Sequence, residues 1–405
     1  MSPKVCFAFV LAFSTASLCS AVSLFVLDTL DGGPTAISSD GNTVLFAGYY
    51  GSYIWERASV RYLSDSSWVS YYDMTDDAQF LVGMSYSDAI IWSGNQVTNL
   101  PLPAADHPSG SALAISGDGS TVVGYISPAI TGTGSPEAAA WRYGSLFGLG
   151  KLRDDGESQA VGVSADGMVI TGRAQPPDVE NQWVPFRWEA GVMANLGHPQ
   201  AGNRATFPHA ISPDGRLIVG SSEFSDYDER AFIWENGNYT ILPHPDSSYV
   251  GSVVNDLSSD GSLLVGYTSA PGDWSYGAIW MLDNGTYTAI RLDEYLVSHG
   301  IDLKGFEIFE VTNVSADGST MAGTGWYPDV GYNRPFIVSL GDAPQWGGFE
   351  IRPDGRTIDT GELLGIIDLA NAPWCYLYGL GTFTFIDEGS LSESGGWVWF
   401  PKEAN

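Results

Sequence analysis

Apolar positions along this chain come in short alternating runs, and the runs recur in one order. In Ala210 to Glu235, AISPDGRLIVGSSEFSDYDERAFIWE, a first run ends in a Ser-Pro-Asp-Gly turn. A second run closes on Gly220, and a polar loop then leads to Ala-Phe-Ile-Trp. Alternation of this period marks half-buried strands, and Asp-Gly between two such runs marks a hairpin, because Gly accepts the positive φ the turn demands. Seven copies occur, with turn aspartates Asp40, Asp77, Asp118, Asp166, Asp214, Asp260 and Asp317. The second copy carries Ala78 where the others have Gly. Six copies continue into a third run ending in Trp (Trp55, Trp92, Trp141, Trp188, Trp234, Trp280), and the seventh ends in Phe336-Ile337-Val338. A turn such as Glu235–Asn238 and a fourth run such as Tyr239–Leu242 complete the unit.

Four short strands every 37 to 57 residues predict an all-β fold, a seven-bladed β-propeller of four-stranded blades. One blade cannot bury both faces of its sheet, so blades must stack around an axis, and the recurring Trp is the expected packing residue between them. The seventh copy offers only three strands. The run Phe25 to Leu30 precedes the first copy without a partner, and is expected to close the ring as the missing strand, which removes two exposed sheet edges. The expected divisions are residues 1–21, 23–341 for the propeller, and 342–405 for a C-terminal β-rich accessory module with clustered aromatics.

The recurring order of fourth run, Ala-Ile-Ser-x-Asp-Gly, Val-Val-Gly, loop and Ala-Phe-x-Trp resembles the HAF repeats of bacterial extracellular proteins. Thr206 to Leu242 carries it most fully, with Arg230-Ala231-Phe232 where that family's naming triplet falls, Arg standing in place of His. The Ser-Pro-Asp-Gly turn is also similar to the repeats of TolB-like propellers. The resemblance covers about Ser23 to Leu340, implies a propeller, and implies no catalytic set.

The first residues, MSPKVCFAFVLAFSTASLCSA, read as a secretory signal peptide cut after Ala21: one Lys, an apolar run, then small residues. A lipoprotein at Cys19 is the alternative, with Leu18 a poor fit before it. Cleavage would leave Cys375 as the lone cysteine, so packing rather than a disulfide must hold the mature chain. No other apolar run is long and charge-free enough to span a bilayer, so the expected location is extracellular or periplasmic. The formal charge of −30 repels nucleic acid and anionic membrane surfaces, and suits cationic partners or divalent ions.

Strand order sorts the loops onto two faces. The Asp-Gly turns and the Asn-Gly-type turns share one face, here called lower. The loops joining second to third strands share the upper face with the connections between blades. The lower turns repeat almost unchanged while the upper loops vary, and function in repeat scaffolds is carried by variable loops on a rigid frame. Those loops place aromatics beside acids, giving Tyr86, Asp178, Trp183, Asp226, Tyr227, Asp228, Asp273, Trp274, Tyr276, Trp326, Tyr327 and Asp329 as candidate ligand-binding residues. Flat rings stack on sugars, and carboxylates accept bonds from hydroxyls or ligate Ca²⁺. A chain this acidic and aromatic also puts such pairs in any loop.

The turn aspartates read as structural, since Asp accepts nearby backbone N–H groups. His107, His198 and His244 each precede Pro and could in principle meet on one metal, though stiffened loops explain them more simply. His209 could face the channel, with a satisfied core histidine as the plainer reading. No phosphate loop, CxxC, HExxH or nucleophile elbow occurs. The expected function is binding of extracellular glycan or a surface component. The alternative is a polysaccharide hydrolase or lyase working across the channel with carboxylates from different blades.

Overall fold

The computed structural model describes residues 22–28, 30–49, 51–56, 59–64, 69–104, 108–127, 135–177, 182–224, 228–272, 275–328, 331 and 333–340, together with short strands between 345 and 399. The expected signal peptide, residues 1–21, lies outside the described residues.

Seven antiparallel four-stranded sheets form the blades of a β-propeller. The innermost strands are Gly33–Ile37, Val69–Met74, Ser109–Ile115, Ser158–Val163, Ala205–Ile211, Gly251–Leu257 and Glu307–Val314. Each is followed outward by its own second, third and fourth strand, so strand order within a blade is sequence order. Blade seven is the exception. Its outer strand is Ser23–Val26, paired antiparallel with Asn333–Ser339 from Ser23 opposite Ser339 to Val26 opposite Phe336. The closing strand therefore falls a few residues earlier than the run Phe25 to Leu30, and the chain turns off at Leu27, whose N–H still reaches the Pro335 carbonyl at 3.0 Å.

Apolar side chains form separate clusters between neighbouring blades rather than one central core. Leu45, Ile54, Tyr71, Leu81 and Trp92 join blades one and two, and Val219, Ile233, Leu264, Ala278 and Trp280 join blades five and six. Trp55, Trp141 and Trp280 are fully buried as expected. The indole N–H groups of Trp141 and Trp280 donate to the carbonyls of Pro101 and Pro243 in the preceding connections, at 2.7 and 2.8 Å. Ala78 adopts φ 55°, so the second copy makes its turn despite lacking Gly.

Blade six runs into the helix Leu292–Ser298, whose Leu292 and Leu296 are buried against blades six and seven. Beyond the ring, Gln345–Trp346 pairs with Phe349–Glu350. A five-stranded sheet runs in sequence order through Thr357–Asp359, Ile366–Asp368, Trp374–Leu377, Thr382–Ile386 and Val398–Trp399.

Candidate functional site: the channel and its upper mouth

The lower end of the channel is a built corner. In every turn a hydroxyl donates to the aspartate two residues on, as in Ser212 to Asp214 at 2.6 Å and Thr75 to Asp77 at 2.8 Å. The same aspartate accepts the N–H of the residue after Gly, Arg216 to Asp214 at 3.0 Å, while the hydroxyl oxygen accepts the N–H of Leu217 at 2.9 Å. Serine donation, joined by that backbone N–H, holds the Asp166 and Asp214 carboxyls below the usual range. The turn aspartates are thus committed locally.

The residue between hydroxyl and aspartate then links blades. Ser39 N–H donates to Asp76 O, Asp76 to Gly117 O, Ala165 to Pro213 O, Ser259 to Ala316 O, and Ala316 back to Ser39 O, at 2.8–3.3 Å. Blade three uses Asp118 N–H, to Ala165 O at 3.2 Å. Blade five lacks the usual donor, because Pro213 has no N–H, and no such bond leaves it among the described residues.

Above these turns every inner strand is bulged. The register slips between Pro34 and Ala36, Tyr71 and Asp73, Ala112 and Ala114, Ala160 and Gly162, Pro208 and Ala210, Val254 and Asp256, and Val311 and Asn313. A bulge re-aims the extra side chain. Of the extra residues, Thr35, Tyr72, Leu113, Val161, His209 and Asn255 line a cavity of about 380 Å³ enclosed by all seven inner strands.

The residue after the bulge is small in blades one, three, four and five, but is Asp73 in blade two and Asp256 in blade six. Asp73 accepts the N–H of Met74 and that of Ile115 in the next blade, both at 2.8 Å. Asp256 accepts those of Leu257 at 2.8 Å and Val314 at 3.0 Å. Burial pushes both carboxyls up to about 7, against the opposing pull of those N–H groups. Both serve as braces between blades. Asn313 closes the remaining gap by donating to Thr35 O at 3.3 Å, so it is part of the wall.

The upper wall of the channel carries different chemistry. His209 Nδ1 lies 2.9 Å from the Val254 carbonyl. A carbonyl only accepts, so this bond puts the ring proton on Nδ1 and leaves Nε2 as an acceptor. Burial lowers the His209 pKa, so the ring is neutral at pH 7. Asn255 donates to Glu310 Oε1 at 2.9 Å, and burial raises that carboxyl. Arg173, on the second strand of blade four, donates twice to Gln159 Oε1, at 3.2 and 2.8 Å. Its guanidinium also lies 5.0 Å from the Trp183 ring and 5.7 Å from the Phe207 ring. Arg173, Phe207 and His209 line a further recess of about 470 Å³.

Six of the candidates from sequence are among the described residues, spread over five blades. Tyr86 is 69% exposed with φ 55° at the tip of its turn. Trp183 stacks with Arg173. Asp228 lies 3.6 Å from Arg230, whose guanidinium covers Phe224 at 4.3 Å. Tyr276 belongs to the strand Ser275–Asp283 and carries Arg291 at 4.1 Å. Trp326 ends the strand Thr320–Trp326 and donates to Glu307 at 2.8 Å, while Tyr327 packs on Phe306 at 5.1 Å. Asp178, Asp226, Tyr227, Asp273, Trp274 and Asp329 lie outside the described residues, as does His107. Of the other His-Pro histidines, His198 bonds Thr206 at 2.8 Å, and no group of three His, Cys, Asp or Glu suited to a metal occurs among the described residues.

Sequence reasoning weighed His209 but passed over Arg173, Gln159 and Glu310. One signal was available. The residue after the recurring Val-Val-Gly glycine varies as Met84, Tyr125, Arg173, Ser221, Tyr267 and Thr324.

No family model matches the chain, and no curated protein matches it. Solved propellers do. An oligogalacturonate lyase in complex with manganese is 14% identical over 79% of this chain and 90% of its own, with TM-score 0.53. The oligogalacturonate lyase of Vibrio parahaemolyticus is 12% identical over 80% and 92%, with TM-score 0.52. A TolB of Agrobacterium tumefaciens is 16% identical over 80% and 99%, with TM-score 0.44. At these identities the likeness is one of fold. No helix among the described residues is long and apolar enough to cross a membrane.

Proposed function

We propose that this chain is a secreted propeller that binds extracellular glycan or another surface component on its upper face, centred on the mouth of the channel. One observation carries the reading. Trp183, from an upper loop, and Phe207, from the inner strand, both lie under the Arg173 guanidinium, so aromatic surface adjoins the polar channel wall. Rings give a sugar its stacking surface, and a few convergent polar groups fix its orientation. The acidic rim, with Asp228 and the aspartates of the neighbouring loops, is where Ca²⁺ would assist.

Catalysis across the channel is the second reading, favoured by Arg173 and neutral His209 lining one recess. Against it, the buried carboxylates of the inner strands are already held: Asp73 and Asp256 by two backbone N–H groups each, Glu310 by Asn255. A glycan array read beside a product assay, with and without Ca²⁺, separates the two. Bound glycan without product supports binding, released product moves the function to the enzyme, and silence on every glycan removes the ligand class.

A further inference from the structure

We infer that Arg173 is a cationic subsite for a carboxylate flanked by hydroxyls, received in the upper channel beside His209. This rests on the binding reading above and narrows it to acidic ligands.

The chain has 47 acidic and 17 basic side chains, so a guanidinium has carboxylates on all sides to choose from. Arg153, Arg187, Arg216, Arg230 and Arg291 take one, while Arg61 and Arg142 are satisfied by neutral oxygens. Arg173 is half-buried, and among the described residues no carboxylate stands within ion-pair distance of it. Its hydrogen-bond partner is the neutral oxygen of Gln159, which receives two of the five guanidinium N–H groups. Glu157 acts on it only through space. Burying an unpaired cation is costly unless something else meets its charge. Its guanidinium lies over the rings of Trp183 and Phe207, and the side chain lines the recess. A planar donor fork beside aromatic rings suits a planar carboxylate.

His209 defines the second half of the ligand. Its Nε2 is an acceptor beside a cation, so it calls for a donor, and a hydroxyl next to the carboxylate supplies one. Asn255, bonded to Glu310 and to the Val311 carbonyl, extends this polar wall into blade seven. The recess of about 470 Å³ lies within the ~300–1,000 Å³ of small-molecule sites.

The shared chemistry is a hydroxylated carboxylate, found on an acidic sugar or on a small hydroxy acid. Titration calorimetry and tryptophan fluorescence of the full chain, with glucuronate, glucose and lactate as probes, test the subsite. Glucuronate should bind at least ~10-fold tighter than glucose, weaken with added salt, and lose at least ~10-fold on Arg173→Gln, with Arg173→Lys in between. Lactate equal to glucuronate would support the subsite and assign it to a small acid rather than a glycan. Equal affinity for glucose and glucuronate in the wild type overturns the inference, a comparison that needs no variant to fold. An array positive for neutral glycans together with that result leaves the binding reading standing. An Arg173→Gln protein that keeps its melting temperature and its full affinity for glucuronate also overturns the inference.

Discussion

Gly220 should not tolerate a methyl group. It lies on the second strand of blade five, directly opposite Pro208 and immediately beside the bulge that turns His209 into the channel. A Cβ built there would stand 2.0 Å from the Phe207 carbonyl oxygen and 2.9 Å from the Pro208 Cα. An ordinary carbon–oxygen contact is about 3.3 Å, so the two strands would have to part by roughly 1.3 Å at this point. That displacement strains the ladder where Phe207 meets Ser221 and Ala210 meets Val219. Losing two such bonds costs about 1–3 kcal/mol, and overpacking adds about 1–3 kcal/mol. Gly220→Ala should therefore lose about 3 kcal/mol. With an unfolding entropy of about 2.1 cal/mol/K per residue over roughly 300 residues, this is a fall of about 5 °C in Tm by calorimetry. Gly83, Gly124, Gly172, Gly266 and Gly323 show the same approach of 1.9–2.1 Å to the inner strand, so any of them should behave alike. Blade one has Phe46 at this position, opposite Pro34 and stacked on Tyr53 at 5.2 Å, which shows that a blade shaped around the side chain can hold one. A loss below about 0.5 kcal/mol in Gly220→Ala would mean that the bulge yields freely, and that glycine does not maintain it.

Ring closure makes its own demand on the first strand. Phe25 is fully buried, with its ring 6.4 Å from Trp55 of blade one, so Phe25→Ala should cost about 3–5 kcal/mol, and an unchanged urea midpoint would refute closure by this strand. Stability should also peak in mild acid. Asp73 and Asp256, raised to about 7 by burial, with Asp73 also facing the charges of Asp256 and Asp76, bind protons in the fold at a pH where the unfolded chain does not. Their contribution is present below the unfolded value near 3.9 and is lost as pH rises through about 7, so Tm should be higher at pH 5.5 than at pH 8. A tenfold gain in proton affinity on folding corresponds to ~1.4 kcal/mol and channel water screens part of it, so a total of about 2 kcal/mol is expected. The lowered turn aspartates act oppositely, their contribution being lost as pH falls below about 4. A Tm that rises from pH 5.5 to 8 would contradict the burial of the channel pair. Removing residues 344–405 should leave the propeller melting as before, and aggregation of that truncation would make the C-terminal strands part of the core.

The frame was legible in the sequence because each of its parts is local. A hairpin turn needs Ser, Asp and Gly within four positions, and seven repetitions of Ser-x-Asp-Gly or its near variants expose the period. The unpartnered run near Phe25 announced closure, although the strand's limits moved by two residues at its start, since pairing to Asn333–Ser339 sets them and the sequence pattern does not. The chemistry was hidden by the bulges. Simple alternation assigns one face to every second residue, but each inner strand inserts an extra one, so positions on either side of the bulge exchange faces. Read by strict alternation, Ala210 and Asp256 shift out of phase with the residues before them, and His209 and Asn255 look like ladder positions. In the fold they are the residues the bulge presents to the channel. Arg173 escaped for another reason: its meaning comes from what it lacks, a carboxylate partner, and partners across blades have no spacing in sequence. The same unit that repeats the turn so faithfully therefore also carries, one strand further on, a position free to differ in each blade. Functional variation on this wall can accumulate there without disturbing the Asp-Gly corner below or the apolar packing between blades.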